Sequence, residues 1–315
     1  MNSVSSKNEY RVARKLMGCA FELIVVHWNE KEARHLLEIG LAEIVRIENS
    51  LSEFKANSWT SKINREATVQ PIVVDQEVFQ LLKRCQGLSA ITQGAFDITV
   101  GPLKQLYRFK KGDFTFPAEA KIQQCLKNVG HQHLHLDEQE QSVYFNQDQL
   151  HLSFAAIGKG YAADRVKKIW QNHGLTSGVI NASGDLTAFG KNHQGKDWQL
   201  CIRHPDREEQ ALFNIPANNL SLATSGDYEQ FFMHQNIRYS HSIHPKTGYP
   251  VHGVKSVSII SPSAELSDAL ATAVFVMGPD TGLHLINQLP DTHCILVDAQ
   301  NRPHVSKNIH PAYEK

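Results

Sequence analysis

The sequence predicts an α+β protein: a single compact domain of mostly antiparallel sheet packed with helices. Three observations carry this. Short β-rich runs alternate irregularly with amphipathic helical stretches, and several runs lie close enough in the chain to pair as hairpins. No Gly/Ser/Pro linker, composition break or internal repeat divides the 315 residues. Hydrophobic residues are 41% and charged residues 20%, which supports a sizeable core and excludes wholesale disorder. Residues 1–315 are therefore read as one unit, with 1–14 and 303–315 expected to be loosely held.

Residues 20–26 form a β-rich run after Gly18 and predict a strand. Asn29 can cap the next helix, in which Leu36, Leu37, Leu41, Ile44, Val45 and Leu51 recur at helical spacing. Residues 52–58 read as a loop, and 72–74 as a short strand. Val78, Leu81, Leu82, Cys85 and Leu88 predict a second amphipathic helix, with Gly94 beyond its end. Residues 103–117, rich in Lys, Tyr and Phe, predict a loop or broken helix over the core. His131, His133 and His135 alternate, so on a strand all three would share one face. Residues 149–154 also alternate like a strand. A helix is expected from Tyr161 to about His173, burying Val166, Ile169 and Trp170. Strands are expected at 178–181, 200–202, 256–260 and 294–297, with a helix at 280–289.

Composition excludes several classes of function. Lys+Arg (32) balances Asp+Glu (32), so no basic excess recruits nucleic acid or an anionic membrane. No window reaches the 18 or so apolar residues of a membrane span. Five Cys without a CxxC pair argue against a disulfide framework and a structural zinc site. The first ten residues are polar and lack the apolar stretch of a secretory signal. Leu16-Met17-Gly18-Cys19 has the form of a bacterial lipobox, but no apolar run precedes it. A cytoplasmic protein with Cys19 free of lipid is the expectation.

Four segments could carry chemistry. Ser267-Asp268-Ala269-Leu270-Ala271-Thr272-Ala273 continues into an apolar run ending at Gly278 and predicts a helix. At 3.6 residues per turn Asp268 and Thr272 share a face. A carboxylate and a hydroxyl on a small apolar face suit an oxygen-seeking cation such as Mg²⁺; equally, they suit a solvated Asp and a Thr bonding back to its own helix. Ala155-Ala156-Ile157-Gly158-Lys159-Gly160-Tyr161 leads a strand-like run through small residues into a helix. Its free N–H groups and Lys159 could meet a phosphate, or form only a tight turn with an exposed Lys. It is not a Walker A loop, since no Ser or Thr follows the Lys. In Gly94-Ala95-Phe96-Asp97-Ile98-Thr99-Val100-Gly101-Pro102, Asp97 could accept from a ligand or cap a turn, and Phe96 suits the core. The densest segment is Tyr239-Ser240-His241-Ser242-Ile243-His244-Pro245-Lys246-Thr247-Gly248-Tyr249-Pro250. Its Pro and Gly residues exclude a helix and predict an extended loop. His241 can serve as a general base, or with His244 as a zinc ligand. Thr224-Ser225-Gly226 reads as a hydroxyl-rich turn upstream.

Six segments, in order, resemble the FAD:protein FMN transferases, the ApbE-type flavin transferase family. They are Met17-Gly18, residues 94–103, residues 158–164, Thr224-Ser225-Gly226, Tyr239-Ser240-His241 with Pro245-Lys246-Thr247-Gly248, and Asp268-Ala269-Leu270-Ala271-Thr272. The resemblance runs from about Met17 to Gln300. It implies Mg²⁺ held by Asp268, Thr272 and the Gly158 carbonyl. It implies FAD held by Met17, Phe54, Ala95, Phe96, Asp97, Lys159, Tyr161 and the Ile243 region, with His241 matching the family's essential His. The implied reaction moves FMN from FAD to a Thr or Ser hydroxyl of an acceptor protein, through a phosphoester, and releases AMP. An FAD pyrophosphatase, or a non-catalytic flavin-binding or metallocentre-assembly protein, would use the same residues differently. Three departures stand out. Ser153-Phe154-Ala155-Ala156 replaces Asp-Leu-Gly-Gly. His244 replaces an Asp, which removes a carboxylate near the presumed metal. The export signal common in the family is not visible.

Overall fold

A hairpin opens the fold. Strand β1 (Asn8–Leu16) turns through Met17 and Gly18, both at positive φ (49° and 80°), into β2 (Cys19–His27). Two consecutive positive-φ residues make the tight turn that matches strand twist. In this computed structural model the described residues are 7–107, 116–228, 230–307, 309 and 312–313. Part of the 103–117 segment therefore lies outside them, as do residues 1–6 and most of the last eight.

Helix α1 (Glu30–Leu51) follows, with Asn29 accepting from the Glu32 N–H as its cap. Then come α2 (Trp59–Glu66), β3 (Ile72–Val73), α3 (Gln76–Ile91), α4 (Gly101–Leu106) and α5 (Glu119–Leu126). A single 3₁₀ turn, His131–His133, leads into β4 (Leu134–Asp137) and β5 (Ser142–Phe145). Helix α6 (Gly158–Asn172) precedes β6 (Gly178–Ala182), β7 (Asp185–Phe189), β8 (Trp198–His204), β9 (Arg207–Ala217) and β10 (Leu220–Gly226). The hairpin β11 (Phe231–His234) and β12 (Ile237–Ser240) is followed by β13 (Val254–Ser261), α7 (Ala264–Met277) and α8 (Pro279–Ile286). The chain closes with β14 (His293–Asp298), β15 (Pro303–Val305) and β16 (Ala312–Tyr313).

One eight-stranded antiparallel sheet, in the order β1-β2-β6-β7-β10-β13-β14-β15, organises the molecule. Helices α1, α6 and α7 cover one face, around Leu23, Ile44, Trp170, Val257 and Phe275. Gly40 permits this: a Cβ there would sit 3.0 Å from both Leu23 and Trp170. The opposite face carries a smaller core in which Leu200, Ile202 and Phe213 from β8 and β9 meet Ile24, Leu222 and Ile295. The α+β expectation is therefore met. Among the described residues no helix is long and apolar enough to cross a membrane.

Several local expectations change. Residues 8–14, expected to be loosely held, pair along β2 as an edge strand, and 303–305 pair with β14. The three alternating His do not share a strand face, because His131 and His133 lie in the 3₁₀ turn and only His135 is in β4. Residues 149–154 make one bridge, Val100 with His151, and no strand. Thr224-Ser225-Gly226 is the end of β10, not a turn.

Candidate active site

The α6–α7 contact builds the floor of the site. Gly160 sits in the first turn of α6, and its N–H donates to Asp268 Oδ2 at 3.0 Å. Asp164, one turn further on, accepts from the Ser263 hydroxyl (2.7 Å) and the Ala264 and Glu265 N–H groups (2.9 and 3.0 Å). A carboxylate on free N–H groups at a helix start is favourable through both hydrogen bonding and the helix dipole. Asp268 is thereby held at 6% exposure. One turn along, the Thr272 hydroxyl lies 3.4 Å from that of Ser225 on β10.

Asp268, Thr272 and Ser225 line a cavity of about 170 Å³ together with Lys104, Ala155, Lys159, Asp185, His241 and Ile243. Lys159 is ion-paired to Asp185 at 2.5 Å, and the other Asp185 oxygen accepts from the Thr224 N–H at 2.9 Å. The His241 N–H donates to the Gln230 carbonyl, and its Nδ1 lies 3.3 Å from the same oxygen. Burial pushes the His241 imidazole below its ordinary titration range. The Gln230 bond opposes this, and the charges of Lys104 and Lys159 add to it. A second, more apolar cavity of about 200 Å³ adjoins the first at Ala155, lined by Met17, Leu51, Glu53, Phe54, Phe154 and Gly158.

Eleven of the twelve expected site residues line one of these two cavities, and Tyr161 is the exception. Tyr161 does not reach either cavity: its hydroxyl bonds Glu77 and its ring faces Arg84 between α3 and α6. Asp97 lines the first cavity, but its carboxylate serves the turn, accepting from Thr99 N–H (2.8 Å), Thr99 Oγ1 (2.7 Å) and His131 N–H (2.9 Å). Phe96 is 1% exposed and belongs to the core, with Ala95 beside it at the cavity edge. Gly158 opens α6 and lines the second cavity, where a Cβ would meet Met17 at 3.4 Å. Phe54 stands 91% exposed at the rim of that cavity.

His244 lies outside the cavity that holds Asp268. It lines a separate groove with Tyr239 and Tyr249, and its Nδ1 accepts from the Lys246 N–H at 3.1 Å. That is the bond an Asp at this position would make to shape the turn. His241 and His244 thus do not converge as a metal pair. The Asp268 carboxylate with the Thr272 and Ser225 hydroxyls is instead an all-oxygen set, of the kind hard cations take.

Sequence reasoning missed Lys104 and Asp185. Asp185 had a usable signal, since it follows a strand and a Ser-Gly turn. Lys104 had none, being one Lys in a Lys-rich stretch.

The ApbE family model matches residues 17–296. A Klebsiella pneumoniae protein described as an FAD:protein FMN transferase is 30% identical over 296 residues, covering 93% of this chain and 90% of the relative. The crystal structure of the Thermotoga maritima ApbE protein superposes with a TM-score of 0.87 at 29% identity, covering 95% of this chain and 97% of its own. That of the Pseudomonas stutzeri flavinyl transferase ApbE gives 0.86 at 26% identity, covering 97% and 96%. With a cavity, a fold and a matched span that agree along nearly its whole length, this chain belongs to the ApbE family.

Proposed function

We propose that the protein transfers the FMN half of FAD to a Thr or Ser hydroxyl of a target protein, with Mg²⁺ bound at Asp268 and Thr272, and releases AMP. The chain is a transferase of the flavin-transfer class for which its relatives are named. The observation that carries the fuller reading is convergence: His241, Lys159, Asp268, Thr272 and Ser225 line one cavity, which shares Ala155 with a second, more apolar one. Each alone falls below the roughly 300–1,000 Å³ of a usual ligand site. A dinucleotide spanning both would set its ring system on the apolar lining of the second and its phosphates in the first.

The lining supports a divalent cation. Asp97, Asp185 and Asp268 face Lys104 and Lys159, so carboxylates outnumber ammonium groups. A diphosphate would meet net negative charge there. Mg²⁺ at Asp268 would offset that charge and act as a Lewis acid on the phosphoryl oxygens.

His241 is the proposed base. Its lowered titration leaves it neutral near pH 7. An Nδ1–H donated to the Gln230 carbonyl leaves Nε2 carrying the lone pair. Nε2 then takes the acceptor hydroxyl proton as the oxygen bonds the flavin-side phosphorus, and the P–O bond to AMP breaks. A well-placed base contributes roughly 10²–10⁴-fold. Location in a reducing compartment such as the cytoplasm is part of the same reading, supported by five free cysteines.

The test is AMP release with and without a Thr-bearing acceptor, alongside mass spectrometry of the acceptor. Faster release with acceptor and an added FMN support transfer. Equal release with no flavin on the acceptor would make the protein a pyrophosphatase.

A further inference from the structure

We propose that Lys104 is a phosphate-positioning residue for the bound dinucleotide, set in the wall of the first cavity. The assignment rests on the functional reading above and goes beyond it, because Lys104 stands one residue past the Val100-Gly101-Pro102-Leu103 segment that carries the family resemblance.

The geometry points to an anion. Two ammonium groups line the first cavity, and Lys159 is already paired with Asp185. Lys104 differs. Among the described residues its Nζ has no carboxylate within 4.0 Å and no hydrogen-bond partner. It acts electrostatically on Glu53, which lines the second cavity, and on His241, which lines the first. The Glu53 carboxylate is engaged elsewhere, by the Ser153 hydroxyl at 2.8 Å and His151 Nε2 at 3.3 Å.

Local structure fixes where Lys104 can reach. Helix α4 is pressed against His151, since a Cβ on Gly101 would lie 2.6 Å from the His151 ring and 2.7 Å from its carbonyl oxygen. Leu103 is fully buried, and the Tyr107 hydroxyl donates to the Gly248 carbonyl at 2.8 Å. With the residue before Lys104 in the core and the residue three on tied to the His241 loop, the Lys104 side chain is directed to the cavity. Burial lowers its titration, with Glu53 opposing. A half-buried ammonium with no partner among the described residues is costly, and a phosphoryl oxygen is an acceptor that would complete it.

The test uses flavin fluorescence to measure binding of FAD, FMN and riboflavin, and competition to measure ADP, on the full chain. The variants are Lys104→Met, Lys104→Gln and Lys104→Arg, each checked for folding by circular dichroism and thermal melting. Removing a charge-assisted hydrogen bond is expected to weaken FAD roughly ten- to hundred-fold. FMN or ADP should weaken in parallel, riboflavin should change less than about two-fold, and Lys104→Arg should restore most of the loss. Lys104→Gln, polar and of similar length, serves where Lys104→Met fails to fold. Unchanged FAD affinity in a folded variant, or equal weakening of FAD and riboflavin, overturns the assignment while wild-type flavin transfer leaves the functional reading standing. No FAD binding by the wild type would overturn both.

Discussion

The Gly160 N–H donates to Asp268 Oδ2 across 3.0 Å, and this bond closes α6 against α7 beside the cavity. The contact is possible only without a side chain. A Cβ on Gly160 would lie 2.2 Å from the Ala264 carbonyl oxygen and 2.9 Å from Asp268 Cβ. Gly160→Ala should therefore force the helices apart, costing about 1–3 kcal/mol as overpacking does. Gly87 in α3 is the control: a Cβ there meets nothing within 4 Å, and Gly87→Ala should stabilise by roughly 0.5–1 kcal/mol. Urea melts of the pair check this, and equal stability of the two variants would refute it.

Asp268 accepts from the Gly160 N–H, and substitution can separate that bond from the proposed metal-binding role. Asp268→Asn keeps an oxygen for the Gly160 N–H but loses the charge. Asp268→Ala loses both, and leaves a buried donor unmet at about 1–3 kcal/mol. Both should lose Mg²⁺ affinity by calorimetric titration, and only the Ala variant should lose that much stability. Wild-type Mg²⁺ affinity in folded Asp268→Asn would remove this residue from the metal site.

The pH dependence of transfer should report His241. Only the neutral imidazole accepts a proton, and burial holds its titration below the ordinary value near 6.5. Activity should hold through pH 7 and fall as pH drops through that lowered value. A kcat/KM profile with its acid limb above about 6.5 would count against His241 as the base.

A second pH effect belongs to stability. Asp298 accepts from the Gln300 and Arg302 N–H groups (both 2.9 Å), Arg302 Nε (2.8 Å) and His304 Nε2 (2.9 Å) at the β14–β15 turn. Burial alone would raise this carboxyl, but the His304 and Arg302 bonds outweigh it and hold it well below the usual range. A depressed carboxyl stabilises the fold fully above its unfolded value near 3.9, and that share fades as pH falls towards the folded value. Asp298→Asn should thus be less stable than wild type at pH 7, with the gap narrowing below about pH 4. A gap that stays constant down to pH 3 would show that the charge contributes nothing.

Helix α1 with its Asn29 cap, the inward stripe of α3, strand β2 and the one-face pair Asp268 and Thr272 were all legible in the sequence. Each signal is local: a period of 3.6 or 2, a capping side chain, a glycine at a stop. Strand β1 was not, because its Arg11, Arg14 and Lys15 give an edge strand the look of a polar tail. The site divides in the same way. Residue types and their order along the chain singled out His241, Lys159 and Asp268 as candidates, and the three line one cavity. Packing alone decided that Lys159 is held by Asp185, that Tyr161 turns to Glu77, that His244 faces another groove, and that Lys104 joins His241. Those outcomes depend on which distant segments the sheet and its helices bring together. A side chain's partner is set by the nearest atoms in space, and for these residues the nearest atoms come from far along the chain.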